Sequence, residues 1–190
     1  MSLQNLQLET MDLLYLHNSS EAQMAVIGEE KYFDKLARCI EFCEAQIGEN
    51  KIRAYGLASW IAFRAKVEEQ DIYLSLQKVH ELVLRVAGKD NGFKYVQAPC
   101  SLMMPEVFSE KWQLLRTDKL EKCELLKIAR KLQINVVSSS PLMQGMLQQV
   151  PLPVETFGLS DNGARHVQFT RSIPATCLTS TLLSQPPSSA

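Results

Sequence analysis

The segment that decides the fold is MDLLYLHN, residues 11–18, an apolar run of strand length that ends in His17 and Asn18. Short continuous apolar runs are typical of strands that are buried on both faces of a parallel sheet. In α/β folds the residues just past the carboxyl ends of such strands are the ones that contact ligands. His17 is therefore the first candidate for a catalytic residue.

Three further segments repeat this pattern at a nearly constant interval. The predicted strands are separated by 40, 41 and 41 residues and start at Asp12, Ile52, Phe93 and Ile134. One more interval leads to Ala175, where a weaker fifth strand is predicted over residues 175–179. Strands that alternate with amphipathic helices at a fixed period predict βα units and a parallel sheet. Because a complete (β/α)8 barrel has eight such units in about 250 residues, five units predict an incomplete barrel.

Local signals predict where the intervening helices begin. The acidic residues after Gly28 and a stripe of apolar residues at helical spacing predict a helix that ends at Gly48. Asp71 is predicted to start the next helix, and Asp118 followed by Glu121 resembles a capping box for the one after. Residues 2–9 are predicted to be helical, residues 19–30 a polar link, and residues 164–172 a short helix.

Composition excludes several classes of function. The 190 residues are 46% hydrophobic and 22% charged, with a formal net charge of -1, which is typical of a globular protein. Without a basic excess we expect no nucleic acid and no anionic membrane surface as a partner. No run approaches the roughly 20 apolar residues of a membrane helix, and residues 1–10 lack the features of a signal peptide.

The five cysteines have no C-x-x-C spacing, so we expect reduced, mostly buried thiols and no metal site. This pattern predicts an intracellular, cytoplasmic protein, with a plastid location possible if a longer precursor exists.

Taken together, these segments resemble the aldo-keto reductase family, NADP-dependent oxidoreductases built on a (β/α)8 barrel. Residues 11–18 resemble the family's Asp-hydrophobic-Tyr/Leu-Leu/Ile-His strand, and residues 2–6 the Ser-Leu-x-x-Leu helix before it. Residues 50–60, NKIRAYGLASW, resemble the family's Gly-Lys-Ile-Arg-x-x-Gly-hydrophobic-Ser-Asn-Trp. Gln97 matches a strand-ending glutamine, and residues 139–145, SSPLMQG, resemble a Tyr-Ser-Pro-Leu-Gly-x-Gly turn. The likeness is greatest to divergent plant-type members whose strand also ends in His-Asn.

The resemblance implies an α/β fold, an incomplete (β/α)8 TIM barrel of roughly strands 4 to 8 over residues 1–181, with a disordered tail over residues 182–190. In the family, hydride passes from the nicotinamide to a carbonyl carbon. A tyrosine, assisted by a lysine and an aspartate, donates the proton, and a histidine orients the carbonyl oxygen. His17 matches that histidine. The other three residues lie in the family on earlier strands, so we expect a truncated chain that is weakly active or inactive.

The cofactor implied by the resemblance is NADP(H), with contacts from Ser59, Gln97, Ser139 and Ser140. Ala58 and Ser59 replace the family's Ser-Asn pair, so one partner of the nicotinamide carboxamide is lost. Ser139 replaces a tyrosine that stacks on the nicotinamide ring. No Lys or Arg occurs in residues 180–190 to bind the 2'-phosphate, so weak binding of NADP(H) is expected.

Two functions from different classes remain open on the sequence. One is NADP-dependent reduction of a small aldehyde or ketone. The other is a non-catalytic interaction or regulatory module, because five strands of a closed barrel leave unpaired edges that favour self-association. A product without any function is a third alternative.

Overall fold

The computed structural model describes residues 2–69, 71–117, 119–149, 164, 168–169 and 178–180. Its strands are β1 (Met11–His17), β2 (Ile52–Ala58), β3 (Phe93–Pro99), β4 (Gln113–Arg116), β5 (Leu120–Cys123), β6 (Asn135–Ser139) and β7 (Leu178–Ser180). Its helices are α1 (Ser2–Leu6), α2 (Ser19–Ile27), α3 (Glu29–Gly48), α4 (Leu76–Ala87), α5 (Glu106–Ser109) and α6 (Leu125–Lys131). Short 3-10 turns follow β2 at Ala62–Arg64 and β6 at Met143–Gln149.

Five parallel strands form one sheet in the order β1-β2-β3-β6-β7. Successive strands of this sheet are neighbours, as they are in a (β/α)8 barrel, and β4 and β5 form a separate antiparallel hairpin. All carboxyl ends of the parallel strands therefore lie along one border, which we call the carboxyl edge. The predicted fold class, part of a (β/α)8 barrel, is confirmed.

The two faces of the sheet differ in their surroundings. The helix-bearing face contributes side chains such as Leu57, Val96 and Val136 to a core shared with α3, α4 and α6. Ile40, Val79 and Ile128 of these helices are each no more than 1% exposed. The opposite face, which we call the inner face, corresponds to the inside of a barrel and lies outside this core.

The region between β1 and α3 differs from the sequence-based expectation. Residues 19–30 were expected to form a polar link, but α2 occupies residues 19–27 and begins directly after Asn18. Asn18 has a left-handed backbone, with φ of 47°, which turns the chain from strand to helix. Ser20 and Met24 are buried, so tertiary packing stabilises a helix that has almost no apolar periodicity of its own.

The predicted start of α4 was wrong by five residues. Asp71 was expected to begin the helix, but its first residue is Leu76, and Ser75 is the N-cap. The Ser75 hydroxyl accepts a hydrogen bond from the backbone N–H of Lys78, at 3.3 Å. Both residues are good caps by type, and the sequence alone did not show which of them lies at the end of the helix.

The predicted capping box before α6 was also wrong. Glu121 lies in β5 and pairs with Leu115 of β4, while the helix begins only at Leu125. Asp118 lies outside the described residues. The hairpin forms in place of a helix because it buries Leu115 and Cys123 against the core. A helix through Glu121 would gain only local backbone hydrogen bonds.

The remaining sequence-based boundaries fall partly beyond the described residues. Strand β7 spans Leu178–Ser180, whereas residues 175–177 and the tail predicted for residues 182–190 lie outside the described part. Residues 164, 168 and 169 of the predicted short helix have helical backbone. In the described part of the chain, no helix is both long and apolar enough to cross a bilayer.

Candidate functional site

The predicted site residues meet at the carboxyl edge because of strand register. His17 lies opposite Ala58, and Ala58 lies opposite Gln97 on the next strand. Residues opposite each other in a parallel sheet point to the same face, so His17 and Gln97 share the inner face. Ser139 ends β6 opposite Pro99, with Ser140 following it.

Four of these side chains are available to a ligand. His17 is exposed, and Gln97, Ser139 and Ser140 are half-buried. Within the described residues, none of the four side chains has a hydrogen-bond partner. An amide can donate and accept at once, and a hydroxyl can do the same. The edge between β3 and β6 can therefore bind a polar group such as a carboxamide.

Ser59 is in a different situation. It is 6% exposed, and its hydroxyl donates to Glu21 Oε1 at 2.5 Å while accepting from the backbone N–H of Ala62 at 2.7 Å. A serine hydroxyl has a single proton, so Ser59 cannot donate to a ligand in this arrangement. The structure thus brings Ser59 to the carboxyl edge but gives its proton to another residue.

Glu21 is the functional-site residue that sequence reasoning missed. Besides the Ser59 hydroxyl, its Oε1 accepts the backbone N–H groups of Ile61 at 2.7 Å and Ala62 at 3.3 Å. Asn18 Oδ1 accepts the N–H of Trp60 at 3.1 Å. Two side chains from the turn after β1 therefore fix the loop after β2. The only sequence signal was an acidic residue in the first turn of α2, which had been interpreted as a link.

Arg64, in the same loop, forms an ion pair with Glu106. Arg64 Nη2 and Nε donate to the two carboxylate oxygens of Glu106, at 2.8 and 3.1 Å, and Arg64 Nη1 donates to the carbonyl of Trp60 at 3.0 Å. The side chains are 12% and 23% exposed. Such a bidentate pair holds the guanidinium in one geometry, so the charge of Arg64 is neutralised by Glu106.

The inner face carries two tyrosines one row below His17. Tyr15 and Tyr95 lie opposite Gly56 from its two sides. A Cβ at Gly56 would lie 2.2 Å from the Tyr95 carbonyl oxygen, so only glycine fits between them. The Tyr15 hydroxyl is buried and has no hydrogen-bond partner within the described residues. Burial, and secondarily Tyr95, raises the pKa of Tyr15 to about 12.

Other features of the described residues lie away from this edge. A cavity of about 460 Å³ lies between α3, α4 and the β4–β5 hairpin, on the helix-bearing side. The four described cysteines are free, and burial raises the pKa of the Cys43 thiol to about 11 and that of Cys100 to about 12. Among the described residues, no three His, Cys, Asp or Glu side chains are grouped so that they could hold a metal ion.

Comparison with known proteins gives similarity at the level of structure. No family model and no curated protein matches the sequence. A crystal structure of a candidate 2,5-diketo-D-gluconic acid reductase B matches 95% of this chain and 50% of its own, with 17% sequence identity and a TM-score of 0.54. Aldo-keto reductase AKR11C1 from Bacillus halodurans matches in its holo form with 19% identity and a TM-score of 0.45, covering 93% of this chain and 46% of its own. Its apo form gives 20% identity, a TM-score of 0.47, and coverage of 93% and 47%.

The chain thus spans about half the length of the solved structures that it matches. At this level of identity the similarity shows the fold, and it agrees with the fold implied by the sequence motifs. The resemblance to aldo-keto reductases is confirmed at that level, and the chain has the architecture of about half of a (β/α)8 barrel.

Proposed function

We propose that the chain is an oxidoreductase of the aldo-keto reductase type that uses NADP(H) to reduce an aldehyde or ketone. The observation that carries this proposal is the row formed by His17, Ala58 and Gln97, in register across three neighbouring strands at the carboxyl edge. In α/β barrels this edge is where active sites lie.

The residues present fit the nicotinamide end of the cofactor in part. Gln97 can both donate to and accept from its carboxamide, and the Ser139 and Ser140 hydroxyls are free to add bonds. Ser59 does not fit as a donor, because its proton is given to Glu21. The cofactor, when bound, supplies the hydride. His17, exposed at the end of β1, donates an imidazole N–H to the carbonyl oxygen of the substrate and so orients it.

We propose that turnover is low because none of the described tyrosines lies in the row formed by His17, Ala58 and Gln97. Tyr15 and Tyr95 lie one row below, and a Tyr15 pKa of about 12 makes it a weak acid near neutral pH. Tyr32 and Tyr55 belong to the core on the helix-bearing side, and the Tyr73 hydroxyl accepts the N–H of Leu114. The described residues therefore leave protonation of the product oxygen to solvent.

The test is NADPH oxidation by the purified chain against a panel of aldehydes and quinones. We expect slow turnover that His17→Ala lowers strongly, since the carbonyl then loses the imidazole N–H that orients it. Glu41→Gln, an exposed change on α3, is the matched control and should not alter the rate. An unchanged rate in His17→Ala would show that His17 takes no part in the reaction.

A second function, a non-catalytic interaction module, is favoured by one specific observation. Within the described residues, no strand pairs with the outer edge of β1. An unpaired apolar edge is a template for another strand. Absence of NADPH binding by calorimetry, together with a stable complex with a full-length reductase, would favour this alternative over the enzyme.

A further inference from the structure

Another cavity, of about 350 Å³, lies at the amino ends of β3 and β6, at the opposite end of the sheet from the carboxyl edge. It is bounded by α4, by the turn before β3 and by the end of α6 with the turn that follows it. Its lining includes Lys89, Lys94, Lys131 and His80, and none of the described residues that line it is an aspartate or a glutamate. A chain with a formal net charge of -1 thus has one concave surface whose ionisable side chains are all bases.

The three lysines of this cavity have no counter-charge in the described part of the chain, where the ion pairs involve other bases. Lys89 and Lys131 lie at the C-terminal ends of α4 and α6, where the helix dipole favours a cation. Lys94 lies in β3, so a helix end does not account for it. A cleft lined by charges of one sign attracts ligands of the opposite sign.

The backbone that carries Lys89 and Lys94 is fixed by two asparagine side chains. Asn91, which is 8% exposed, donates from Nδ2 to the carbonyl of Gly88 at 2.7 Å and to that of Lys89 at 3.4 Å. From the neighbouring strand, Asn135 Nδ2 donates to the carbonyl of Lys94 at 3.2 Å. Less backbone freedom is therefore lost when a ligand binds to these two lysines.

His80 lines the same cavity from α4. It is half-buried, and its imidazole has no hydrogen-bond partner within the described residues. Burial lowers the pKa of His80, and Lys94 acts in the same direction, against the opposite effect of Glu81. Even a neutral imidazole has one N–H to donate. His80 can therefore donate a hydrogen bond to an anion that the lysines attract.

We propose that this cavity, which we call the amino-edge cavity, binds a small compound that carries two neighbouring phosphate groups. Lys89, Lys94 and Lys131 bind the phosphate oxygens as point charges. His80 adds a hydrogen bond to one of them. The volume suits a compound of this size, since ligand pockets have volumes of about 300 to 1,000 Å³. The site lies at the far end of the sheet from His17 and does not depend on the proposed reductase activity.

The first experiment uses pyrophosphate as the probe and the ring signals of histidine in NMR spectra as the readout. The chain has three histidines, and His80→Gln identifies the signal of His80. We expect pyrophosphate to shift this signal saturably and to raise the pKa of His80, because a bound anion favours the charged imidazole. The pKa values of the other two histidines should not change. An equal effect of sodium chloride at the same ionic strength would show screening without a site and overturn the proposal.

Lys94→Gln tests the charge that no helix end explains. Calorimetry should show a Kd for pyrophosphate that is raised about twofold to fivefold, the effect of one exposed charge contact. Lys31→Gln on α3 is the matched control, because both lysines are exposed and both variants change the net charge by the same amount. It should keep the Kd of the parent chain. Equal weakening in the two variants would assign the effect to net charge and contradict the site.

A soluble compound and a lipid headgroup are two sources of such phosphate groups, and vesicles distinguish them. Vesicles of phosphatidylcholine are compared with vesicles that also contain a phosphoinositide bisphosphate. Sedimentation of the chain with the second kind alone, reversed by pyrophosphate, assigns the phosphate groups to a lipid headgroup. Binding of pyrophosphate without sedimentation assigns them to a soluble compound. If pyrophosphate leaves the His80 signal unchanged, the proposal is overturned for both sources.

Discussion

A serine hydroxyl has one proton to donate, and at Ser59 that proton goes to Glu21. Because of this hydrogen bond, Ser59 stabilises the loop after β2 and does not donate to a cofactor. Gln97, by contrast, keeps both functions of its amide. The site is therefore asymmetric, with free polar groups between β3 and β6 and a fixed, negatively charged corner between β1 and β2.

Tyr15 and Tyr55 give a matched pair for testing how hydroxyl groups stabilise the chain. The Tyr15 hydroxyl is buried without a partner among the described residues, so Tyr15→Phe should leave the free energy of unfolding unchanged or raise it by up to about 1 kcal/mol. The Tyr55 hydroxyl donates to Glu44 Oε1 at 2.8 Å. Tyr55→Phe should lower the free energy of unfolding by about 1 to 2 kcal/mol.

Urea unfolding of the two variants and the parent chain measures both values. The same atom is removed from the same residue type in each variant, so the difference between them reports the environment. A loss in Tyr15→Phe as large as that in Tyr55→Phe would mean that the Tyr15 hydroxyl has a hydrogen-bond partner after all.

At the level of residues, the sequence could predict positions in the sheet where strand register decides them. His17 and Gln97 could be placed at one edge because each lies at or near the carboxyl end of an apolar strand, and the carboxyl ends of parallel strands lie together. The partners of Ser59 could not be predicted. They depend on Glu21 of α2, which is 38 residues away in the sequence.

At the level of elements, strands were easier to predict than the segments that join them. The first four parallel strands have apolar runs long enough to mark them, and their observed bounds agree within one or two residues. Helix starts depend on which of several polar residues meets a free backbone N–H. The hairpin of β4 and β5 is stabilised by Gln113, 1% exposed, whose amide accepts from the N–H of Leu76 and donates to the carbonyls of Phe63 and Leu74.

The start of α4 gives the element-scale prediction. Ser75→Ala removes the hydroxyl that accepts from Lys78 N–H, and the cap is 4% exposed, so water cannot easily replace it. We expect a loss of about 1 kcal/mol in the free energy of unfolding. Asp71→Ala changes the residue that the sequence favoured as the cap, and it should have little effect because Asp71 lies outside the helix. Thermal and urea unfolding of both variants decide this, and the reverse order of effects would restore Asp71 as the cap.

At the scale of the whole molecule, helices cover one face of the sheet, whereas the outer edge of β1 is unpaired within the described residues. The five-stranded sheet ends with this strand in the described part of the chain, and β1 reads MDLLYLH, with Asp12 as its one acidic side chain. Asp12 pairs with Arg53 at 2.9 Å, but the two side chains are 85% and 73% exposed. Such an exposed pair contributes little to stability. A charge on an edge strand opposes pairing with a second strand.

We therefore propose that the chain self-associates through the edge of β1 and that Asp12 limits this association. A charge on an edge strand opposes pairing with a second copy, so removing the charge of Asp12 should strengthen the pairing. Asp12→Asn changes the net charge from -1 to zero, and so does Asp34→Asn on the exposed side of α3, which is the matched control. Sedimentation equilibrium over a range of protein concentrations should show tighter association for Asp12→Asn than for the parent chain or for Asp34→Asn. Equal association constants for the two variants would assign the effect to net charge alone, and a monomer at every concentration would remove the edge of β1 as an interface.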